Sequence, residues 1–343
     1  MSELLMLEHE FYSAPFSFSY SSLNRLLYAP SVFYKEYVLK MKEIKTDQHL
    51  IEGKLTHYLL GDESSFDDKF VIIPEELPTG NTKEVVDVVY TIAKQLDGAQ
   101  NTLVYYQDAI IETLRVINLH QKLVDDKKAD KDGIMKTGDQ KRLEKIISSQ
   151  TMAYFEFLKS KGSRDLIDTT TLQKCNSYVE AVKANERASA ILGLNLTPSD
   201  TLGIYNELPI EVPGEPFGIK GIIDNLIVDV ENKRVSINDI KTSNKSVADF
   251  PESVDYWNYW LQAAMYDKLV RHFLKDVIDD TWTVDFYFIV IDKYLQVYPY
   301  RVSKDTMTTW KSMFEKVLKE AEYHYTSRNY SLPYQFITED VEL

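Results

Sequence analysis

Asp239 and Lys241 stand two residues apart in Val235–Lys241 (VSINDIK). On an extended strand both project from one face while Ile240 projects from the other. A tight turn at Glu231-Asn232 places Asp224, on the preceding strand, directly opposite Asp239. Carboxylates facing each other across a ladder repel unless a cation sits between them, and oxygen-rich sites suit magnesium or manganese. Lys241 adds a fixed positive charge. A metal that polarises phosphate and activates water, with a cation for the developing anion, is what phosphodiester hydrolysis requires. The same spacing fits a solvated Asp–Lys pair on a strand edge, and spacing alone leaves both readings open.

Other chemistries are poorly supplied. Gly133–Gln140 (GIMKTGDQ) has the glycine spacing of a phosphate loop but carries Asp139 where the lysine belongs, so no nucleotide cofactor is expected. The six histidines show no H-x-x-x-H spacing, and G-x-S-x-G is absent. The single cysteine, Cys175, cannot form an internal disulfide or hold a four-thiolate iron–sulfur cluster. The 23 tyrosines invite base stacking, yet tyrosine is more often a packing residue with a polar tip, and none stands out.

The elements that must position these residues can be read from periodicity. Ser17–Leu60 reads as two helices around a Pro-marked break: Ser19, Ser21 or Ser22 caps the first, and the second ends near Gly61. Helical, tyrosine-rich and charged segments follow around Val85–Leu96, Val104–Leu123 and Asp139–Lys161, with the run DDKKADKDG (125–133) expected as a solvated loop. A helix over Thr171–Leu192 leads into strands at Gly203–Val212, Phe217–Val230 and Val235–Lys241, which predict an antiparallel meander. A helix at about Asp255–Leu274, strands at Val284–Ile291 and Gln296–Val302, and a terminal amphipathic helix complete a mixed α/β chain.

With 343 residues, 44% hydrophobic and 27% charged, the chain can bury one large core with an insertion, or two cores. The longest apolar run, Phe286–Ile291, is far short of a membrane span. The N-terminus lacks the pattern of a secretion signal, so a cytoplasmic location is expected. A net charge of −14 argues against a protein that coats nucleic acid nonspecifically. A catalytic groove, however, needs only a local basic lining.

The segments GIIDNLIVD (Gly221–Asp229) and INDIKTS (Ile237–Ser243) together resemble the core of the PD-(D/E)XK nuclease superfamily, with Asp224 at the first acidic position and Asp239-Ile240-Lys241 as the D/E-x-K element. Gln262 and Tyr266 in YWLQAAMY match the Q-x-x-x-Y motif of the RecB-like branch. SYSSLNRLLYAPSVFY (Ser19–Tyr34) resembles that branch's opening helix, and GKLTHYLL (Gly53–Leu60) its G-x-x-x-H helix, with His57 as the histidine. The helix from Thr171 to Gly193 is similar to one in exodeoxyribonuclease VIII-like phage exonucleases.

The resemblance implies an α/β (α+β) restriction-endonuclease-like core, a central mixed or antiparallel sheet flanked by helices. It implies a single nuclease domain over 1–343, with a core of about 17–80 and 166–330 and a helical insertion at about 82–165. Asp224, Asp239 and His57 would bind magnesium or manganese, with the Ile240 backbone carbonyl as an extra ligand. Lys241 would orient water or stabilise the pentacoordinate phosphate. Glu207, on the strand before Asp224, occupies a position where the family often has a glutamate touching metal or water, and Glu211 is its same-face competitor. Gln262 and Tyr266 would position DNA or brace the lysine, and Arg25 would grip a terminal phosphate. The implied activity is 5′-to-3′ digestion of duplex DNA ends in phage-type recombination or replication. It would involve a ring-shaped homo-oligomer and a single-strand annealing partner, in the host cytoplasm if phage-encoded. A single-strand exonuclease, a flap nuclease, an endonuclease and a non-catalytic DNA-binding scaffold remain open. Iron–sulfur members carry a cysteine where Ala29 precedes Pro30, so no cluster is expected.

Overall fold

The central hairpin sets the frame. The computed structural model describes residues 2–41, 48–61, 63–74, 76–117, 128–129, 135–136, 138–162 and 164–338. Its contacts divide the chain into one unit of Met1–Ser64 with Lys174–Leu343, and a second of Ser65–Gln173.

In the first unit the chain runs α1 (Ser2–Phe11), β1 (Ser17–Phe18), α2 (Tyr20–Tyr28) and, after short helical turns from Pro30 to Val38, α3 (Gln48–Gly61). It resumes at the end of α4 (Thr169–Ala184) and continues through α5 (Glu186–Ile191), β2 (Leu202–Val212), β3 (Gly218–Asp229) and β4 (Arg234–Ser243). Then come α6 (Phe250–Tyr256), α7 (Tyr259–Phe273), β5 (Thr283–Asp292), β6 (Val297–Arg301) and α8 (Lys304–Ser327).

The six strands form one mixed sheet in the order β1-β3-β4-β5-β6, with β2 also on β3. The β3–β4 register runs from Asp229↔Arg234 to Asn225↔Asn238, as a tight turn requires. The expected meander is present, β2, β3 and β4 pairing antiparallel, and β5 lies parallel to β4 after the α6–α7 crossover. The sheet is therefore mixed α/β with helices on both faces. One face packs Leu226, Ile237 and Phe288 against Leu23, Met265 and Phe314 from α2, α7 and α8. The other packs Ile240, Ile289 and Ile291 against Val182, Ala188 and Leu192 around α4 and α5. Period-2 alternation along β4 feeds both layers at once.

Two helices read as continuous are interrupted, each at an asparagine. Asn185 ends α4 and caps α5, its Oδ1 accepting from Ala188 N at 2.9 Å. Asn258 separates α6 from α7 in the left-handed conformation, φ 57°, which asparagine tolerates better than most residues. Ser19 and Ser22 cap α2 reciprocally. Among the described residues, no helix is long and apolar enough to cross a membrane.

The second unit packs helices Gly80–Asp97, Gln107–Ile117, Gly138–Ile146 and Ser149–Lys161 around Val85, Val89, Leu103, Ile110, Phe155 and Leu158. The helical segment read as 139–161 thus breaks at Ser148, which caps the later helix. A parallel pair, Phe70–Ile72 with Asp165–Ile167, has no counterpart in the sequence reading. Most of the 125–133 run lies outside the described residues; its Lys128–Ala129 pairs with Met135–Lys136.

Candidate active site

A row of carboxylates crosses the middle of the sheet where backbone pairing is interrupted. On β3, Asn225 pairs with Asn206 of β2 on one side and Asn238 of β4 on the other. The next row is Glu207, Asp224 and Asp239. The β2 ladder skips Glu207–Asp224 and resumes at Leu208↔Ile223, while the β4 ladder ends. Glu207 adopts φ 49°, a conformation costly for a non-glycine residue. Asp224 Oδ2 instead accepts from Ile240 N at 2.8 Å, so a side chain replaces the missing backbone partner. Like charges directly opposite are unfavourable, and the sheet opens at this row.

The asparagines one residue along brace the same three strands from the other face. Asn225 Nδ2 donates to Asn206 Oδ1 at 2.8 Å, and Asn238 Nδ2 to Asn225 Oδ1 at 2.7 Å. Their amides also reach helix-end carbonyls: Asn206 to Gly61 O at 2.9 Å, Asn225 to Leu192 O at 3.2 Å and Asn238 to Ile191 O at 3.1 Å. These satisfy carbonyls that a helix C-terminus leaves open. Each site carboxylate is thus next in sequence to a bracing asparagine: Asn206-Glu207, Asp224-Asn225, Asn238-Asp239. That ladder was missed in the sequence reading, although the N-E, D-N and N-D dipeptides on three strands carry its signal.

α3 packs across β2, β3 and β4 and brings in His57. His57 Nε2 lies 2.9 Å from Ile240 O. A carbonyl can only accept, so Nε2 carries the proton. Nδ1 then faces Glu207 Oε1 at 3.5 Å and Asp224 Oδ1 at 3.6 Å. Burial pushes the imidazolium down, but the Asp224 charge and the Glu207 contact outweigh it and hold the pKa at about 9. Without a cation, this arrangement draws a proton onto Nδ1.

Asp239 is fully buried, and neither carboxylate oxygen accepts a well-aligned hydrogen bond. Its charge partner is Lys241 Nζ, 2.5 Å from Oδ2. Burial, with Asp224 nearby, raises the Asp239 pKa even against Lys241. Lys241 Nζ also lies over the Tyr259 ring, 4.8 Å from its centroid. Motif matching missed Tyr259. It stands on the α7 face of Gln262 and Tyr266, at i, i+3 and i+7.

One donor atom each from His57, Glu207 and Asp224 lies within 4.8 Å of the other two, and these residues can hold a metal ion. The buried Glu207 Oε1 accepts no well-aligned hydrogen bond, His57 Nδ1 facing it at 3.5 Å, and is available as a ligand atom. One imidazole and two carboxylates suit a divalent cation. Asp239 lies outside this trio and on the lysine. The Ile240 carbonyl spends one lone pair on His57.

The remaining sequence-derived residues divide. Gln262 donates to Tyr266 OH at 3.0 Å, and both line a cavity of about 700 Å³ with Ser19, Tyr20, Glu211 and Lys220. Glu211 accepts from Ser17 Oγ at 2.5 Å, away from the metal-ligand trio. Arg25, on α2, pairs with Glu36 at 3.2 Å rather than with the carboxylate row.

No protein-family model matches the chain, and no curated protein does. Among solved structures, it is similar to a crystal structure of a candidate exonuclease from Eubacterium rectale, at 9% identity and TM-score 0.45, covering 95% of this chain and 90% of that one. A likeness at that level carries no weight for the assignment, which rests on the side chains above.

Proposed function

We propose that this chain is a metal-dependent deoxyribonuclease of the PD-(D/E)XK superfamily, RecB-like branch, acting from DNA ends. The carrying observation is the row Glu207–Asp224–Asp239 where the sheet opens, with His57 Nδ1 between two carboxylates and Lys241 against the third. His57, Glu207 and Asp224 would hold magnesium or manganese, which when bound supplies a Lewis acid for the phosphate and a water of lowered pKa. The Ile240 carbonyl fixes the tautomer that leaves Nδ1 free for this role. Asp239 and the Tyr259 ring hold the Lys241 ammonium where negative charge develops on the phosphoryl oxygens. Water gives up a proton as its oxygen attacks phosphorus, the P–O bond to the leaving sugar oxygen breaks, and that oxygen takes up a proton. Gln262 and Tyr266 border the cavity that would receive the strand. Digestion from 5′ ends, a ring-shaped homo-oligomer and a single-strand annealing partner belong to the same proposal by resemblance.

The test is end-labelled linear duplex beside a covalently closed circle, with magnesium, manganese or EDTA. Loss of the linear DNA alone, only with metal, supports exonuclease action. Cleavage of the circle would make it an endonuclease on the same site. Full activity in EDTA, or none with either metal, would sink the assignment.

A further inference from the structure

The turn between α6 and α7 exposes two adjacent aromatic rings. Tyr256 is 75% exposed and Trp257 51%, edge to face with centroids 4.7 Å apart. The backbone beneath them is tightly held. The Trp257 carbonyl accepts from the Tyr20 hydroxyl and, at 3.4 Å, from Asn24 Nδ2. Asn258, at φ 57°, donates to Asn24 Oδ1 at 2.7 Å and accepts from Trp260 Nε1 at 3.0 Å. Four side-chain bonds fix this turn, and it presents two large rings to water.

Tyr20 lines the cavity that Gln262 and Tyr266 border. One turn beyond Asn24, on the same face of α2, Tyr28 is 83% exposed.

Building on the nuclease reading, we propose that Tyr256 and Trp257, extended by Tyr28, form a stacking rim for unpaired bases, so that the preferred substrate is DNA with unpaired nucleotides at the end entering the site. Bases inside a duplex already stack on their neighbours and present little free π-face. Unpaired bases gain on an aromatic platform without regard to sequence. Rigid rings lose little conformational freedom when a base lands on them.

The experiment compares binding of a blunt duplex and a duplex with a short single-stranded tail, using the full chain in calcium to limit turnover. Wild type is expected to favour the tailed duplex by roughly 5- to 100-fold, the scale of one stacked base. Trp257→Ala and Tyr256→Ala should each remove most of that advantage and leave blunt-end affinity unchanged, while Trp257→Phe keeps it. Both side chains are exposed and the tethers to Trp257 use its carbonyl, so these variants should fold. No tail preference in wild type, or an undiminished one in the double alanine variant, overturns the rim while leaving the nuclease reading intact. Absence of any DNA binding or cleavage removes both.

Discussion

His57 allows the site to be tested without substrate. Its Nε2–H is committed to the Ile240 carbonyl, so a second proton at Nδ1 relieves the opposition with Glu207 and Asp224. The folded pKa is about 9 against an ordinary 6.5. A raised folded pKa gives stabilisation that is fully present below 6.5 and lost as pH rises through about 9. At ~1.4 kcal/mol per unit, that gap amounts to about 3 kcal/mol. Burial lowers the pKa of His324 and raises that of Cys175, and comparison with His57→Gln subtracts both contributions. Urea unfolding in EDTA at several pH values, from below the ordinary 6.5 to above the folded pKa of about 9, should therefore show metal-free wild type losing about 3 kcal/mol. His57→Gln should be nearly flat over the same range. Manganese should also flatten the wild-type profile, because a cation takes the proton's place. A flat wild-type curve in EDTA, or the same slope in both proteins, would refute the placement of Nδ1 between the carboxylates.

Lys241→Ala should lower single-turnover cleavage by ~10²–10³ with DNA affinity kept within a few-fold; near-normal turnover would put the chemistry elsewhere. Tyr259→Leu should lower turnover by roughly 2- to 30-fold, the worth of a cation–π contact, while Tyr259→Phe retains it. Equal rates for the two would deny the ring a positioning role. A Cβ at Gly61 would sit 2.8 Å from the Asn206 side chain, so Gly61→Ala should destabilise by ~1–3 kcal/mol in urea. An unchanged midpoint would show that the asparagine ladder yields freely.

Much of this protein is written locally. The β3–β4 register follows from a tight turn and period 2, which alone bring Asp224 and Asp239 to one row and keep Lys241 on the Asp239 face. The capped start of α2 follows from hydroxyl spacing and its core face from apolar periodicity. These signals act within single elements or between adjoining strands, so the sequence holds them without help from the rest of the fold. What tertiary structure decided acts over long separations. His57 and Ile240 are 183 residues apart, and no local pattern announces that one fixes the other's tautomer. The parallel placement of β5 depends on the route of the α6–α7 crossover, which hydropathy does not encode. The Arg25–Glu36 pair joins α2 to the helical turns that follow it. The breaks at Asn185 and Asn258 override helical periodicity because an asparagine side chain can cap or accept a left-handed backbone where packing needs a change of direction. The opening of the sheet at Asp224 combines Glu207 at φ 49° on one strand with an Asp224 carboxylate that takes the Ile240 N–H of another, an arrangement that no single strand contains.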